Sequence, residues 1–309
     1  MSNRNFIKDA LLGVATGDAL GVPVEFRSRS LLLREPVTGM REYGTHHQPA
    51  GTWSDDSALT FCLAEMLCNG YDLQDLANRF VNWKNYGYWT PHGDVFDMGI
   101  ATAGAITRLQ MGTAPVLAGG TTEGSNGNGS LMRILPLLFY IKDMTIEERF
   151  KHVQEVSSLT HAHLRSVNAC FIYLELALAI LNGQSKKEAY ETICFTLTDF
   201  LQNKETPYFS KILSGELPQL PIEEIHGTGY VLRTLEASIW CLLNTSSYSE
   251  AVLQAVNLGN DTDTTAAVTG GLAGLLYGWE TIPADWLNVL AQRGAIDQLI
   301  INLQAKIYR

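Results

Sequence analysis

The stretch that decides the fold runs from Gly259 to Gly278 and reads GNDTDTTAAVTGGLAGLLYG. It opens as a polar loop that contains Asp261 and Asp263. It continues as a run of small and apolar residues that predicts a helix over 264–277. Glycines recur every fourth residue in that run, so they line one face of the predicted helix. These glycines are Gly270, Gly274 and Gly278.

A matching stripe of glycines lies near the N-terminus, at Gly13, Gly17 and Gly21. Glycine inside a helix costs about 1 kcal/mol relative to alanine, so six of them cost about 5 kcal/mol, comparable with the net stability of a domain. Taken alone, the stripes favour close packing of two core helices. Because acidic residues lie beside both stripes, Asp18 beside the first, they also suggest that something fits between the two backbones.

The rest of the chain has a helical period, and alternating strand-like runs are scarce. No repeat or linker divides it, and the polar stretch 203–227 is the best candidate for an excursion from the core. We therefore predict an all-α fold in a single compact domain over residues 1–309. The predicted helices cover about 4–20, 57–69, 72–85, 97–110, 130–141, 145–158, 163–182, 185–202, 228–243, 248–258, 264–277 and 295–307.

The composition excludes some classes of protein. With 46% hydrophobic residues the chain can bury a large core, which excludes a disordered protein. The formal net charge of −10 argues against a nucleic-acid binder that relies on phosphate contacts. An anionic ligand would therefore need something other than net lysine and arginine to neutralise it.

The cysteines and the apolar runs bear on where the protein works. Five cysteines without C-x-x-C spacing, each in apolar sequence, are typical of small core residues in a reducing compartment. The N-terminus has no signal-peptide pattern, and the apolar runs 131–141 and 169–181 are shorter than the roughly 20 residues of a membrane span. We expect a cytoplasmic protein with no membrane span.

A first pair of carboxylates, Asp55 and Asp56, follows Ser54 directly before the apolar-periodic segment 58–67. One aspartate at this position is typical of a helix start, where a side-chain oxygen caps the backbone and negative charge meets the positive end of the helix dipole. Two adjacent carboxylates after a hydroxyl also form the oxygen cluster that hard cations use. Both interpretations stay open from this motif alone.

The second pair, Asp261 and Asp263, lies two residues apart in a loop, and Thr264 adds an oxygen at the predicted helix start. The glycine and the glutamate that an EF-hand loop needs are missing. If the two pairs meet in the fold, with Glu25 as a fifth carboxylate, the charges raise one another's pKa unless cations intervene. Two divalent ions of the magnesium or manganese type would neutralise them, and the lack of histidine or cysteine in either motif argues against zinc.

A glycine-rich loop occupies residues 119–130, ahead of the predicted helix 130–141. Exposed amides at a helix start bind phosphate oxygens with help from the dipole. Such a loop is equally often only a turn, so a phosphate site and a plain turn are both consistent with this segment.

Seven motifs taken in order along nearly the whole chain are similar to those of the ADP-ribosylglycohydrolase family, of the dinitrogenase-reductase-activating glycohydrolase type. They are Gly13-x3-Gly17-Asp18-Ala19-Leu20-Gly21-x3-Glu25, Trp53-Ser54-Asp55-Asp56-Ser57, Phe96-Asp97-Met98-Gly99, Asn126-Gly127-Asn128-Gly129-Ser130-Leu131-Met132-Arg133, Thr160-His161-Ala162-His163, Gly229-Tyr230-Val231 and Gly259-Asn260-Asp261-Thr262-Asp263-Thr264. The resemblance implies an all-helical fold around a central binuclear site for two Mg²⁺, with Mn²⁺ as a substitute. It also implies hydrolysis of the bond between ribose C1 of ADP-ribose and a protein side chain, most often arginine.

The resemblance also implies a role for each matching residue. The implied metal ligands are Ser54, Asp55, Asp56, Asp261, Asp263 and Thr264. The implied catalytic residues are Glu25, Asp56 and Asp97, with Asp97 near the leaving group. The implied substrate contacts are Asn126, Gly127, Asn128, Gly129, Ser130, His161 and Tyr230, with Tyr230 packing on the adenine. Two departures are mild: Ser54 stands where threonine is common, and Asn260 where glycine is frequent.

The expected partner is an ADP-ribosylated protein, with ADP-ribose as the product, and neither nucleic acid nor membrane. Several alternatives stay open: cleavage of O-linked ADP-ribose on serine, in poly-ADP-ribose or in a small ester; a non-catalytic, ADP-ribose-binding or structural member; and an unrelated two-metal hydrolase. Direct attack by water and a route through opening of the ribose ring are also both open. The sequence does not separate regulation from protection against an ADP-ribosylating toxin.

Overall fold

The computed structural model describes residues 4–308, and the regular structure in that range is helical. β pairing among these residues is limited to two isolated bridges, Gly120 with His161 and Gly127 with Tyr230. The predicted all-α fold is confirmed. The helices are α1 (Phe6–Gly21), α2 (Arg29–Leu32), α3 (Asp55–Asn69), α4 (Leu73–Tyr86), α5 (Ile100–Gln110), α6 (Leu137–Ile141), α7 (Ile146–Ser158), α8 (Leu164–Leu181), α9 (Lys186–Phe200), α10 (Ser210–Leu213), α11 (Val231–Leu243), α12 (Tyr248–Asn257), α13 (Thr262–Tyr277), α14 (Ala284–Val289) and α15 (Arg293–Ile307).

The two glycine stripes face each other, because α1 and α13 pack backbone against backbone. A Cβ added to Gly13 would lie 2.3 Å from the carbonyl oxygen of Gly270, and one added to Gly17 would lie 2.2 Å from that of Ala266. Close packing is therefore the correct explanation of the stripes, and nothing fits between the helices there. At the end of the stripe, a Cβ on Gly21 would lie 2.3 Å from the backbone nitrogen of Asp263. The packing thus fixes where the acidic loop lies.

The other long helices surround this central pair. Helices α11 and α12 pack on α13, while α3 and α15 pack on α1. Helix α8, Leu164–Leu181, is long and apolar enough by length and composition to cross a membrane, with a mean hydropathy of 1.6, and 89% of it is buried inside the fold. Burial of this kind is what a central core helix shows. All five cysteines are free. Cys62, Cys170 and Cys241 are buried as predicted, whereas Cys68 and Cys194 are only partly buried.

The predicted helix over 130–141 is wrong in its first half. Residues 130–136 form turns, and α6 begins only at Leu137. Pro136 explains the difference, because proline lacks the backbone N–H and disfavours helical conformation at the residue before it. Arg133, buried in these turns, donates to the carbonyl oxygens of Gly129 at 2.7 Å and Val156 at 3.1 Å.

The stretch 203–227 is an excursion of short helices, as expected, but it packs on the core. Its apolar side chains Ile212, Leu217 and Ile225 are buried. The short helices α2, α10 and α14 were not predicted from the sequence, because four to six residues show no helical period.

Candidate active site

The two aspartate pairs meet in the fold, as the sequence suggested. Asp56, in the first turn of α3, accepts hydrogen bonds from hydroxyl groups of both motifs. Ser54 Oγ donates to Asp56 Oδ2 at 3.0 Å, and Thr264 Oγ1 donates to the same oxygen at 3.3 Å. Ser54 is also the N-cap of α3, and Asp261 is the N-cap residue of α13. The capping interpretation is therefore confirmed for Ser54, and the two helix starts bring the acidic residues to one centre, while their use by a cation stays a prediction.

Asp18, which the sequence analysis noted without giving it a role, holds the start of α3 in place from α1. Its carboxylate accepts hydrogen bonds from the backbone nitrogens of Ser54 at 2.9 Å and Ser57 at 3.0 Å, and from Ser57 Oγ at 2.6 Å. Burial raises the pKa of Asp18 to about 6, and these hydrogen bonds oppose the shift. The available signal was an acidic residue within the glycine-striped, otherwise uncharged second half of α1.

The loop after α1 pairs with the loop before α13. The backbone nitrogen of Phe26 donates to the Asn260 carbonyl at 2.6 Å, and the nitrogen of Asn260 donates to the Arg27 carbonyl at 2.8 Å. Asn260 has a φ of 65° and Phe26 a φ of 63°. Asparagine tolerates this left-handed conformation and glycine adopts it freely, which explains why both residues suit position 260. The pairing carries Glu25 to the edge of the aspartate cluster.

Carboxylates and one histidine form two groups. Within each group, the possible metal-binding atoms all lie within 4.8 Å of one another. One group contains Glu25, His46, Asp97 and Asp263, and the other contains Asp18, Asp56 and Asp263. Asp263 belongs to both. A histidine therefore does approach the centre: His46 Nε2 hydrogen-bonds Glu25 Oε2, which the sequence analysis missed because no local motif links positions 25 and 46. Of the other predicted metal ligands, Asp55, Asp261 and Thr264 line the adjoining cavity instead.

The electrostatics fit bound cations. Burial and mutual repulsion raise the pKa values of Asp55, Asp56 and Asp263 well above the usual range, and burial together with Asp97 raises the pKa of Glu25 to about 10. Three buried carboxylate oxygens, Asp56 Oδ1, Asp261 Oδ1 and Asp263 Oδ2, have no hydrogen-bond partner. Because a carboxylate oxygen is an acceptor only, a divalent cation is the natural partner for all three.

A cavity of about 310 Å³ opens beside this cluster. We call one side the acidic wall, and it consists of Glu25, Asp55, Asp97, Asp261 and Thr264. We call the other the loop wall, and it consists of Gly124, Gly127, Asn128, Gly129, His161 and Gly229. The remaining lining residues are Gly99, Ile100, Ala101, Thr102 and Met132. The volume is at the lower end of the range for small-molecule sites.

The loop wall depends on glycine for its shape. A Cβ on Gly129 would lie 2.8 Å from His161 Cε1 and 2.9 Å from Thr102 Oγ1, so only glycine lets the histidine ring approach. Asn128 Nδ2 donates to Asp261 Oδ2 at 2.8 Å, which ties the two walls together. Residues 129–133 are turns, so the expected phosphate site at a helix start is wrong in that detail.

His161 reaches the cavity as an uncharged ring. Its Nδ1 lies 2.8 Å from Thr160 Oγ1, and burial together with the nearby Arg133 guanidinium lowers its pKa to about 3. It therefore stays neutral at physiological pH.

The remaining predicted substrate contacts do not line the cavity and already have protein partners. Asn126 Oδ1 accepts from Ser166 Oγ at 3.1 Å, and Ser130 Oγ lies 3.0 Å from Ser157 Oγ. The hydroxyl of Tyr230 accepts from Arg165 at 2.9 Å. Their contact with substrate stays a prediction.

Arg165 organises this side of the molecule and was missed from the sequence. Its guanidinium donates to Glu205 at 2.9 Å, to Tyr230 at 2.9 Å and to Glu123 at 3.3 Å, and it lies 3.7 Å above the ring centroid of Tyr208. The segments it joins are distant in sequence, so no pattern along the chain could reveal the cluster.

The fold and the site define an all-α protein whose ligand cavity is built beside a buried carboxylate cluster suited to divalent cations. The model of the ADP-ribosylglycohydrolase family matches residues 1–309. The chain belongs to the ADP-ribosylglycohydrolase family, as its motifs indicated.

Individual relatives agree. The chain is 34% identical over 295 residues to the ADP-ribosylarginine hydrolase Tri1 of Pseudomonas putida, covering 94% of this chain and 76% of the relative. It is 26% identical to the ADP-ribosyl-dinitrogen reductase glycohydrolase of Rhodospirillum rubrum, covering 91% and 88%. A solved structure described as an ADP-ribosylglycohydrolase-related protein complex superposes with a TM-score of 0.83 at 30% identity and covers 98% of each chain.

Proposed function

We propose that the protein hydrolyses the N-glycosidic bond between ADP-ribose and arginine side chains of modified proteins, with two divalent cations, Mg²⁺ or Mn²⁺, at the carboxylate cluster. The observation that carries the proposal is the set of partnerless buried carboxylate oxygens beside the cavity. The relatives named as ADP-ribosylarginine hydrolases support arginine as the linkage.

Asp263 would be central to holding the cations, since it belongs to both donor groups. Asp56 of one group and Glu25, Asp97 and His46 of the other would add ligands, and Asp55 and Asp261 of the acidic wall would add two more. When bound, the cations would supply positive charge that orients the ribose hydroxyls and makes a nearby water more acidic. All of these side chains except His46 are carboxylates, which favours Mg²⁺, while the imidazole of His46 makes Mn²⁺ an effective substitute.

The hydrolysis breaks the bond from ribose C1 to a guanidino nitrogen and forms one from C1 to a water oxygen. The proton that the water loses ends on the departing guanidino nitrogen, so arginine leaves as its guanidinium ion. Asp97 lines the cavity, and its negative charge would stabilise that guanidinium as the bond breaks. Glu25 lines the same wall and is the candidate to accept the proton of the water. Asn128 would keep Asp261 in position through its hydrogen bond.

The test is turnover of a protein carrying ADP-ribosyl-arginine, with free ADP-ribose measured by mass spectrometry. We expect turnover with Mg²⁺, loss of turnover with a chelator, and loss of both turnover and cation-dependent thermal stabilisation in Asp55→Ala and Asp261→Ala. A serine-linked substrate is assayed in parallel. Faster release from serine than from arginine would replace the proposed linkage, and full turnover in either variant would overturn the metal assignment.

A further inference from the structure

Three apolar side chains lie beside the cavity, and we call them the apolar rim: Ile100 lines the cavity, and Phe26 and Phe96 each follow or precede a residue that lines it. Phe26 is 67% exposed and follows Glu25 of the acidic wall. Phe96 precedes Asp97 of the same wall, and Ile100 lines the cavity while being 93% exposed. The ring of His46 lies between the two phenylalanines, with centroids 6.0 Å from Phe26 and 5.0 Å from Phe96.

The exposure of the rim does not serve folding. Ile100 is the first residue of α5, a position where an isoleucine with 93% exposure contributes almost no burial to stability. Phe26 adopts a left-handed φ of 63°, which costs a non-glycine residue about 1 kcal/mol or more. Its hydrogen bond to the Asn260 carbonyl holds it there. The chain therefore keeps a large aromatic side chain in solvent, next to a candidate catalytic carboxylate, at a cost to its own stability.

The size of the cavity limits which part of a modified protein can contact the apolar rim. About 310 Å³ holds a small ligand and excludes folded polypeptide, so a modified side chain would enter while the chain that carries it stays outside. Glu25 and Asp97 line the cavity, and their carboxyl oxygens can accept hydrogen bonds from a guanidinium group. The residues on either side of the modified arginine would then contact the apolar rim.

We propose that the apolar rim binds the residues flanking the ADP-ribosylated arginine and selects protein substrates whose modified arginine has apolar neighbours. This inference rests on the proposed function. It adds a recognition surface for the polypeptide, whereas the cavity recognises the modified side chain itself. Contact with only three apolar side chains is enough to distinguish one substrate from another. It is too weak to slow the release of product.

The test compares two peptides that carry ADP-ribosyl-arginine, one flanked by leucines and one by serines, together with free ADP-ribosyl-arginine. The variants are Phe26→Asn, which keeps a residue tolerant of the left-handed conformation, and Ile100→Ser. The matched control is Met111→Ser, which removes an 81% exposed side chain at the far end of α5. The measured quantity is the ratio of kcat/KM for the leucine peptide to that for the serine peptide.

We expect wild type and Met111→Ser to prefer the leucine peptide by about tenfold, the effect of burying one apolar side chain, and each rim variant to lose most of that preference. An unchanged ratio in both rim variants would overturn the inference. An equal loss of kcat/KM on all three substrates would also overturn it, because the rim would then be needed for catalysis or for folding. Wild-type enzyme that cleaves no arginine substrate at all would instead refute the proposed function, and the rim inference would fall with it.

Discussion

The acidic wall of the cavity is positioned by backbone packed on backbone, whereas the loop wall is held by side-chain hydrogen bonds between distant segments. Gly13, Gly17 and Gly21 bring α1 against α13, and two helix starts then place the aspartates. On the other side, Arg165 and Asn128 join loops through single polar contacts. The candidate cation site is therefore fixed by the core, while the loops on the substrate side can move at a lower cost in stability.

The largest expected effect comes from Asp263→Asn. Because Asp263 belongs to both donor groups, its loss should lower kcat at least about a thousandfold, as removal of a group central to metal catalysis does. The metal-free variant should be at least as stable as the metal-free wild type, because one repelling buried charge is gone. Kinetics with Mg²⁺ and thermal unfolding with a chelator check both parts.

A metal-free variant clearly less stable than wild type would contradict this account, because it would mean that Asp263 is needed for packing. Asp285→Asn, on the distant α14, serves as the charge-matched control.

The next effect tests the packing directly. In Gly17→Ala the new Cβ would meet the Ala266 carbonyl at 2.2 Å, so α1 and α13 must separate, and we expect a loss of about 3 kcal/mol in the free energy of unfolding. Gly104→Ala in α5 is the matched control, since its Cβ would meet only the tip of Arg108 at 3.5 Å. The control should be stabilised by up to about 1 kcal/mol. Urea unfolding measures both, and equal effects would show that the stripe has no special packing role.

The pH dependence of the metal-free protein should report the buried carboxylates, with Glu25 as the clearest case. The folded-state pKa of Glu25 is raised to about 10, above its unfolded value, so folding favours the protonated form. That contribution is complete below the unfolded pKa and is lost as pH rises toward the folded pKa. The melting temperature should therefore fall from about pH 7 to about pH 9 without metal, and saturating Mg²⁺ should flatten the slope. A rising melting temperature without metal would contradict the prediction.

The smallest effect should come from the loop wall. Arg165→Lys keeps a positive charge beside Glu205 but cannot donate to Glu205, Tyr230 and Glu123 together. We expect KM to rise about fivefold with kcat within about twofold, since the variant disturbs positioning of the loops and leaves the acidic wall intact. Steady-state kinetics on ADP-ribosyl-arginine separates the two constants. An equal fall in kcat would show that Arg165 acts on the chemistry.

Much of the acidic wall could be predicted because its information is local. The Asp55-Asp56 and Asp261-x-Asp263 pairs lie in short motifs before apolar runs, and the glycine spacing predicts the close packing of α13, which carries the second pair. The predicted helix over 130–141 is wrong in its first half, because Pro136 disfavours a helix before it although the apolar pattern continues through it. His46 and Arg165 could not be found, because their partners lie 21 and 40 to 65 residues away in sequence.

The sequence by itself determined the all-helical fold, the two small-residue helices and most of the carboxylates, because periodicity and adjacent residue types are written along the chain. Only the tertiary structure decided that the two glycine stripes face each other, that Asp263 stands in both donor groups, and that His46 joins Glu25. Those facts depend on which distant segments pack together. Which segments pack together depends on burial summed over the whole core, so it cannot be inferred from any short stretch of sequence.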